Sequence, residues 1–242
     1  MAKEHERPNG FYSLQILSKG GERVDNNIFK SGWNEENAYI FGWIVSDGCL
    51  KKEGRNKTSY AIRICSNDSD IITWLHNYLC VGNKIYKQGK SGFQIKYRNK
   101  ESIEFMMECG LKERKSLDMK FPNVPDTVFC DFVRGYFDGD GSIALSENRY
   151  NTYGQVSFTS GSVEFLTTLQ DKLQSFNIES HLYKDNRETN ESYYLRITKR
   201  AEIEKYFSLM YPTDGCIKLQ RKYDKFKQYL DCKPKYNIVK TV

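Results

Sequence analysis

The chain has 242 residues, 39% of them hydrophobic and 14% aromatic, enough to bury a sizeable core in one domain or in two similar halves. That composition excludes a disordered chain, the apolar runs are far short of a membrane span, and the polar start Met1-Ala2-Lys3-Glu4-His5-Glu6-Arg7 is unlike a signal peptide. The net charge of +6 leans towards polyanionic partners, although a solvated surface carries a similar charge.

The cysteines stand at 49, 65, 80, 109, 130, 216 and 232, with no C-x-x-C pair and no histidine pair at zinc-ligand spacing. Reduced, structural thiols in a cytoplasmic protein are expected, and no zinc site.

In chain order, residues 1–32 form an N-terminal extension to which no role is assigned. A short motif then runs Ile40-Phe41-Gly42-Trp43-Ile44-Val45-Ser46-Asp47-Gly48. After a basic turn comes the strand pattern Tyr60-Ala61-Ile62-Arg63-Ile64-Cys65. Ser66-Asn67-Asp68 opens a helix through Ile71, Ile72, Trp74, Leu75, Tyr78 and Leu79, whose spacing of three and four marks an amphipathic face. Two further strands, Lys84–Lys87 and Phe93–Arg98, precede a helix from Lys100 to Cys109.

Pro122-Asn123-Val124-Pro125-Asp126 breaks the pattern and joins two units, with boundaries expected at 33–121, 122–130 and 131–230, followed by a tail at 231–242. The second unit repeats the first. Its motif is Val133-Arg134-Gly135-Tyr136-Phe137-Asp138-Gly139-Asp140-Gly141. A turn, the strand Gln155–Thr159 and a helix start at Ser160-Gly161-Ser162 follow, then strands His181–Lys184 and Tyr193–Ile197 and a helix from Arg200 to Met210. Each unit therefore reads α-β-β-α-β-β-α, an α+β fold of two pseudo-symmetric halves.

Alternation in the strands predicts antiparallel sheets with one face under helices and one open. The open face carries Arg63, Gln94, Lys96 and Arg98 in the first half and Gln155, Ser157, Tyr194 and Arg196 in the second. A polar set rich in Arg, Lys, Gln and Tyr and poor in acids suits phosphate contact and base-edge hydrogen bonding.

Gly42 and Ser46 share one helical face, as do Gly135 and Gly139. Small residues at that spacing let two helices approach until their backbones nearly touch. If the motif helices pack so, Asp47 and Asp140 converge, and two carboxylates at close range repel unless a proton or a cation intervenes. Mg²⁺, or another hard divalent cation, takes oxygen ligands and could activate water and stabilise a leaving oxygen in phosphodiester cleavage. An EF-hand around Asp138 and Asp140 is excluded, because Ile143 replaces the required glycine and Arg149 the bidentate acid. Asp138 has Val45 as its counterpart and receives no catalytic role.

The two motifs in this element order resemble those of the single-chain, two-motif LAGLIDADG homing endonucleases, over roughly Trp33 to Tyr229. Consensus matches are Gly42, Asp47 and Gly48, then Gly135, Asp138, Asp140 and Gly141. The resemblance implies a monomer with a pseudo-twofold axis between the motif helices and two sheets forming a DNA-binding saddle. It implies metal binding by Asp47 and Asp140, with backbone carbonyls at Ser46 and Gly139, and double-strand cleavage of a long DNA target. It also implies a basic residue near the metal site in each half, for which Lys115 and Lys222 are the candidates, both preceded by Arg. Ser66 and Ser160 align with positions that often carry a water-holding Gln.

Two other functions fit the same fold: an intron RNA maturase, and a DNA-binding regulator without cleavage activity, against which both retained aspartates argue. An intein domain is disfavoured on the expectation that a nucleophile would begin the chain and a His-Asn pair would end it.

Overall fold

The computed structural model describes residues 26–54, 58–79, 84–113, 119–149, 151–186 and 191–232. The first half runs α1 (Glu35–Asp47), β1 (Gly48–Glu53), β2 (Ser59–Ser66), α2 (Ser69–Leu79), β3 (Tyr86–Gln88), β4 (Gly92–Tyr97) and α3 (Lys100–Glu108). A 3₁₀ turn at Asp126–Val128 leads into the second half. This comprises α4 (Phe129–Asp140), β5 (Ser142–Glu147), β6 (Thr152–Ser160), α5 (Val163–Ser175), β7 (His181–Asp185), β8 (Ser192–Ile197), α6 (Arg200–Met210) and α7 (Gln220–Asp231).

The duplicated α-β-β-α-β-β-α order holds in both halves, and α7 follows it in the second. Each sheet has four antiparallel strands in equivalent order, β1-β2-β4-β3 and β5-β6-β8-β7. α2 packs on β4 and α3 on β2, while α5 packs on β8 and α6 on β6. Ile62, Ile64, Ile95 and Tyr97 are buried under the first pair of helices, and Val156, Phe158, Leu195 and Ile197 under the second.

Four segments depart from the sequence reading. The stretches after Asp47 and Asp140, read as turns, are the edge strands β1 and β5, each with a single large buried side chain, Leu50 or Ile143. Lys222, expected beyond the helix Arg200–Met210 with no element assigned to it, lies inside a further helix, α7, which packs on β5 and β6. Residues 26–32, assigned to the extension, pack on the first half: Ile28 and Phe29 are buried, and Asn37 Nδ2 donates to the carbonyls of Ile28 and Gly32 at 2.9 and 2.8 Å.

At the centre, α1 and α4 pack along their length. Residues Asn37 to Val45 are all buried, so α1 is enclosed on every side, as a helix apolar all round must be. Asn34 and Asn37 start it with reciprocal side-chain bonds to each other's N–H groups, 2.8 and 2.9 Å.

Candidate active site

The closeness of α1 and α4 is a property of four small residues. A Cβ on Gly42 would lie 2.0 Å from the Phe132 carbonyl oxygen, and one on Gly135 would lie 1.9 Å from that of Tyr39. Tyr39 and Phe132 each stand three residues before the glycine of their own motif, so the contact is reciprocal. Lower down, Gly139 faces Ser46, whose Oγ would be 1.8 Å from a Cβ at Gly139. Ser46 Oγ donates to the Trp43 carbonyl at 2.9 Å.

Both helices end on a glycine with extended backbone, Gly48 (φ −77°, ψ 145°) and Gly141 (φ −77°, ψ 165°), whose N–H groups cap Ile44 and Phe137. The chain thus passes directly from helix to edge strand, leaving Asp47 and Asp140 at paired helix ends. Asp47 is half-buried and Asp140 exposed. Asp47 Oδ2 lies 3.4 Å from the position a Gly139 Cβ would occupy. The charges of both aspartates reach Lys222 and the buried Tyr136, whose hydroxyl pKa is pushed up by burial first and then by Asp140 and Asp47.

Lys222 is 3% exposed and directs its ammonium at the end of α4. It donates to the carbonyls of Phe137 (2.7 Å), Asp138 (2.8 Å), Gly139 (3.2 Å) and Gly141 (2.6 Å). These are the carbonyls that a helix terminus leaves without partners, and a cation there also complements the helix dipole. Burial brings the ammonium down to about 8, against the opposing pull of Asp138, Asp47 and Asp140. Its counterpart, Lys115, lies outside the described residues.

Asp138 is buried beneath this cap. Its Oδ2 accepts from the Tyr39 hydroxyl at 2.9 Å and the Leu219 N–H at 2.7 Å, linking α4 to α1 and to the start of α7. Burial raises its pKa, while Lys222, the Leu219 N–H and Tyr39 pull it down. Arg134 anchors the same region, donating to the carbonyls of Ile217 and Met210 and to Asp131. Phe41 and Val45 hold these two positions in the first motif, so the first motif has no polar anchor at either.

The residues at the helix ends suit a hard divalent cation, which two carboxylates and backbone oxygens would hold, while the space beside Gly139 is filled by Ser46 Oγ. Among the described residues no three acids, histidines or cysteines cluster as a metal site, so a cation held there would draw its remaining ligands from backbone, water or a bound phosphate. The Gly139 carbonyl already accepts from Lys222.

On the open face of the first sheet, Arg63 and Lys96 are register partners. Both bind Glu53, Arg63 at 2.9 Å, and Arg98 reaches the other carboxylate oxygen at 3.5 Å. Lys96 and Arg63 hold the Glu53 carboxyl down at about 2. Gln94 lies beside Cys65. In the second sheet Arg196 pairs in register with Ser157 and stacks on Tyr194 at 4.0 Å and Tyr183 at 5.4 Å. Ser157 shares a hydroxyl hydrogen bond with Ser142, and Gln155 faces Ala144. Six cysteines among the described residues are free thiols.

Residues 36–112 match the model of a WhiA LAGLIDADG-like domain and residues 130–211 that of a LAGLIDADG-like domain, together well over half the chain. The chain belongs to the LAGLIDADG family. It carries one LAGLIDADG domain in each half. It is 27% identical over 208 residues to the probable translation initiation factor IF-2 of Methanocaldococcus jannaschii, covering 79% of this chain and 16% of that protein. Identity to a DNA polymerase of Thermococcus sp. (strain GE8) is 24% over 205 residues, covering 79% and 12%. The chain thus spans under a fifth of the length of either relative. In fold it is similar to the meganuclease I-SmaMI bound to uncleaveable DNA, with a TM-score of 0.55 and 14% identity over 81% of this chain and 90% of that one.

Glu53 sits in a stretch whose sequence reads as a basic turn. The ion pair of Arg221 with Asp68, 2.9 Å, and the bond from the Leu219 N–H to Asp138 have no signal in the local sequence. Among the described residues no helix is long and apolar enough to cross a membrane.

Proposed function

We propose that this LAGLIDADG protein is a site-specific, metal-dependent endonuclease that cuts both strands of a duplex DNA target. The observation that supports the reading is the placement of Asp47 and Asp140 at the ends of two helices in backbone contact, one in each of two halves of equivalent sheet topology. Cleavage of two strands related by a dyad calls for paired acids on a dyad, which a pure binding protein has no use for.

Each residue then has a task. Asp47 and Asp140 supply negative oxygens that repel one another and so favour a cation between them. A hard divalent cation bound there, Mg²⁺ by preference, would lower the pKa of an attacking water and take up charge on the leaving oxygen. Lys222 ties down the end of α4, fixing where Asp140 points, and places a positive charge beside the scissile phosphate. The open face of each sheet, with Lys96, Arg98, Gln94 and Arg63 on one side and Arg196, Tyr194, Gln155 and Ser157 on the other, lies along the DNA grooves. The solved relatives lend support, since I-SmaMI has been crystallised on an uncleaved DNA target in the presence of calcium ions and in variants that replace lysine by alanine.

The relatives identified by sequence have unlike activities, and in each the matching stretch occupies a small part of a much longer chain. That pattern fits a transferable unit, and favours an enzyme whose target is the DNA into which its own coding sequence is inserted. The test is to join the sequences flanking the coding segment into one duplex and incubate it with the protein, with Mg²⁺ or with EDTA. Cutting at the junction in Mg²⁺ alone is expected. Tight binding without cutting would favour a DNA-binding regulator instead.

A further inference from the structure

The helix that carries Lys222 is held by the opposite half of the molecule. Three fixings meet at the first turn of α7. The Leu219 N–H donates to Asp138, and the Lys222 ammonium caps the end of α4. Between them in sequence, Arg221 reaches out of its own half. Its Nε donates to Asp68 Oδ1 at 2.9 Å and its Nη2 to Asp68 Oδ2 at 3.0 Å, a bidentate pair. Asp68 stands just before α2, where its N–H donates to Ser66 Oγ at 3.1 Å and its carbonyl accepts from Ile72.

The equivalent position in the second half does equivalent work. Ser162 stands just before α5, its N–H donates to Ser160 Oγ at 3.1 Å, and its carbonyl accepts from Leu166. Its buried hydroxyl donates to the Met119 carbonyl at 2.7 Å. Met119 lies beyond α3, four residues past Lys115. In both halves, then, the residue that opens the middle helix grips the stretch following the third helix of the other half, α6 or α3. The grip falls before the lysine in one half and after it in the other, so the correspondence is one of position in the fold.

The Arg221 side chain is 58% exposed and that of Asp68 27% exposed, so the pair adds little to global stability. Its contribution is geometric. A guanidinium fork on a carboxylate fixes both direction and distance, and here it fixes a helix one residue away from a buried ammonium. The pair also borders an open groove beside Asp47, together with Cys65, Ser66 and Phe93.

We propose that Asp68 is a positioning residue for Lys222: by clamping Arg221 across the pseudo-dyad it sets the first turn of α7, and so makes the second half's lysine depend on the first half being in place. The proposal rests on the cleavage reading for its effect on rate, though not for its effect on α7. The experiment compares wild type with Asp68→Ala, Asp68→Glu and the exchanged pair Asp68→Arg/Arg221→Asp, following each strand of the joined-flank duplex separately at saturating protein. Asp68→Ala is expected to slow one strand about 10- to 100-fold, the cost of a small misplacement, with nicked DNA accumulating and affinity unchanged. Asp68→Glu or the exchanged pair should restore the rate, and failure of both to do so would overturn the proposal. Amide exchange over residues 220–231 without DNA should be faster in Asp68→Ala, whether or not the protein cuts. A wild type that cuts nothing while this exchange difference holds would end the cleavage reading and leave the clamp standing. Equal strand rates and equal exchange, or lost affinity with normal cutting, would show Asp68 to be a surface pair or a DNA contact and overturn the clamp.

Discussion

Gly42 and Gly135 lie back to back across the crossing of α1 and α4, each against a backbone carbonyl of the other helix, with no room for a methyl group at either. The candidate chemistry depends on that contact, because Asp47 and Asp140 are brought together only as far as the helices they end are brought together.

Gly42→Ala and Gly135→Ala should therefore each destabilise the protein. An added Cβ would stand 2.0 or 1.9 Å from a carbonyl oxygen that is part of a helix backbone and has nowhere to go. Forcing the helices apart should cost about 1–3 kcal/mol or somewhat more. Gly215→Ala is the control, since nothing lies within 4 Å of its Cβ position, and its effect should stay within about 0.5 kcal/mol. Urea midpoints for the three variants check this, and a Gly42→Ala protein as stable as wild type would mean that the crossing is loose.

Asp47→Asn and Asp140→Asn should each abolish double-strand cleavage while leaving DNA binding largely intact. An amide keeps the shape of the carboxylate but cannot serve as a charged metal ligand, and removing negative charge eases repulsion from phosphate. Cleavage and gel-shift assays on the same preparations separate the two effects. Full cutting by either variant in Mg²⁺ would remove that aspartate from the site.

Lys222→Met should lose both activity and stability, which sets it apart from a surface phosphate contact. It removes one donor from four carbonyls at the end of α4, of which those of Phe137, Asp138 and Gly141 lie within 2.8 Å. Losing charge-assisted bonds in a buried place should cost about 2–4 kcal/mol. The pH dependence has a definite sign. The folded ammonium titrates near 8, and the unfolded lysine near 10.5. Between those values the unfolded chain binds more protons, so this group makes the protein more stable as pH rises from about 8 towards 10.5. Wild-type stability measured relative to Lys222→Met should climb over that window, and a flat difference would place the ammonium in contact with solvent.

Much of this architecture was legible in the chain, and the reasons are physical. The motif helices announce themselves because a helix packed on all sides needs apolar residues throughout and small residues at the crossing, and both requirements are local. The strands β2, β4, β6 and β8 alternate because they are central and covered on one face. β1 and β5 escaped notice because each is an edge strand with a single large buried side chain, Leu50 or Ile143, too little to set a period of two. Asp68 and Arg221 pair over a separation of 153 residues, and nothing in the neighbourhood of either signals the other. The spacing of Tyr223, Phe226 and Tyr229 carries the signal for α7, but Asp224, Lys225, Lys227 and Gln228 between them mask it.

Glu53→Gln should tighten DNA binding and make it more sensitive to salt. In the structure Glu53 occupies Arg63, Lys96 and Arg98 together, three of the cations on the open face of the first sheet. Hydrogen bonds from Lys96 and Arg63 hold its carboxyl at about 2, so the lock stays charged at any neutral pH and loosens only as pH falls below the ordinary carboxylate range towards 2. A phosphate backbone approaching this face must therefore compete with an internal carboxylate, whereas the second sheet has Ser146 at the matching strand position. With Gln in place, the cations become available to phosphates, and the slope of log affinity against log salt should steepen by about 1 for each phosphate newly contacted. Because the gain is to backbone and not to base edges, unrelated duplexes should gain as much as the target, and discrimination between them should not improve. Titrations on target and random DNA across a salt series check both statements. An unchanged slope would show that these three cations do not meet phosphate, and weaker binding to the target alone would show that Glu53 orients them towards bases.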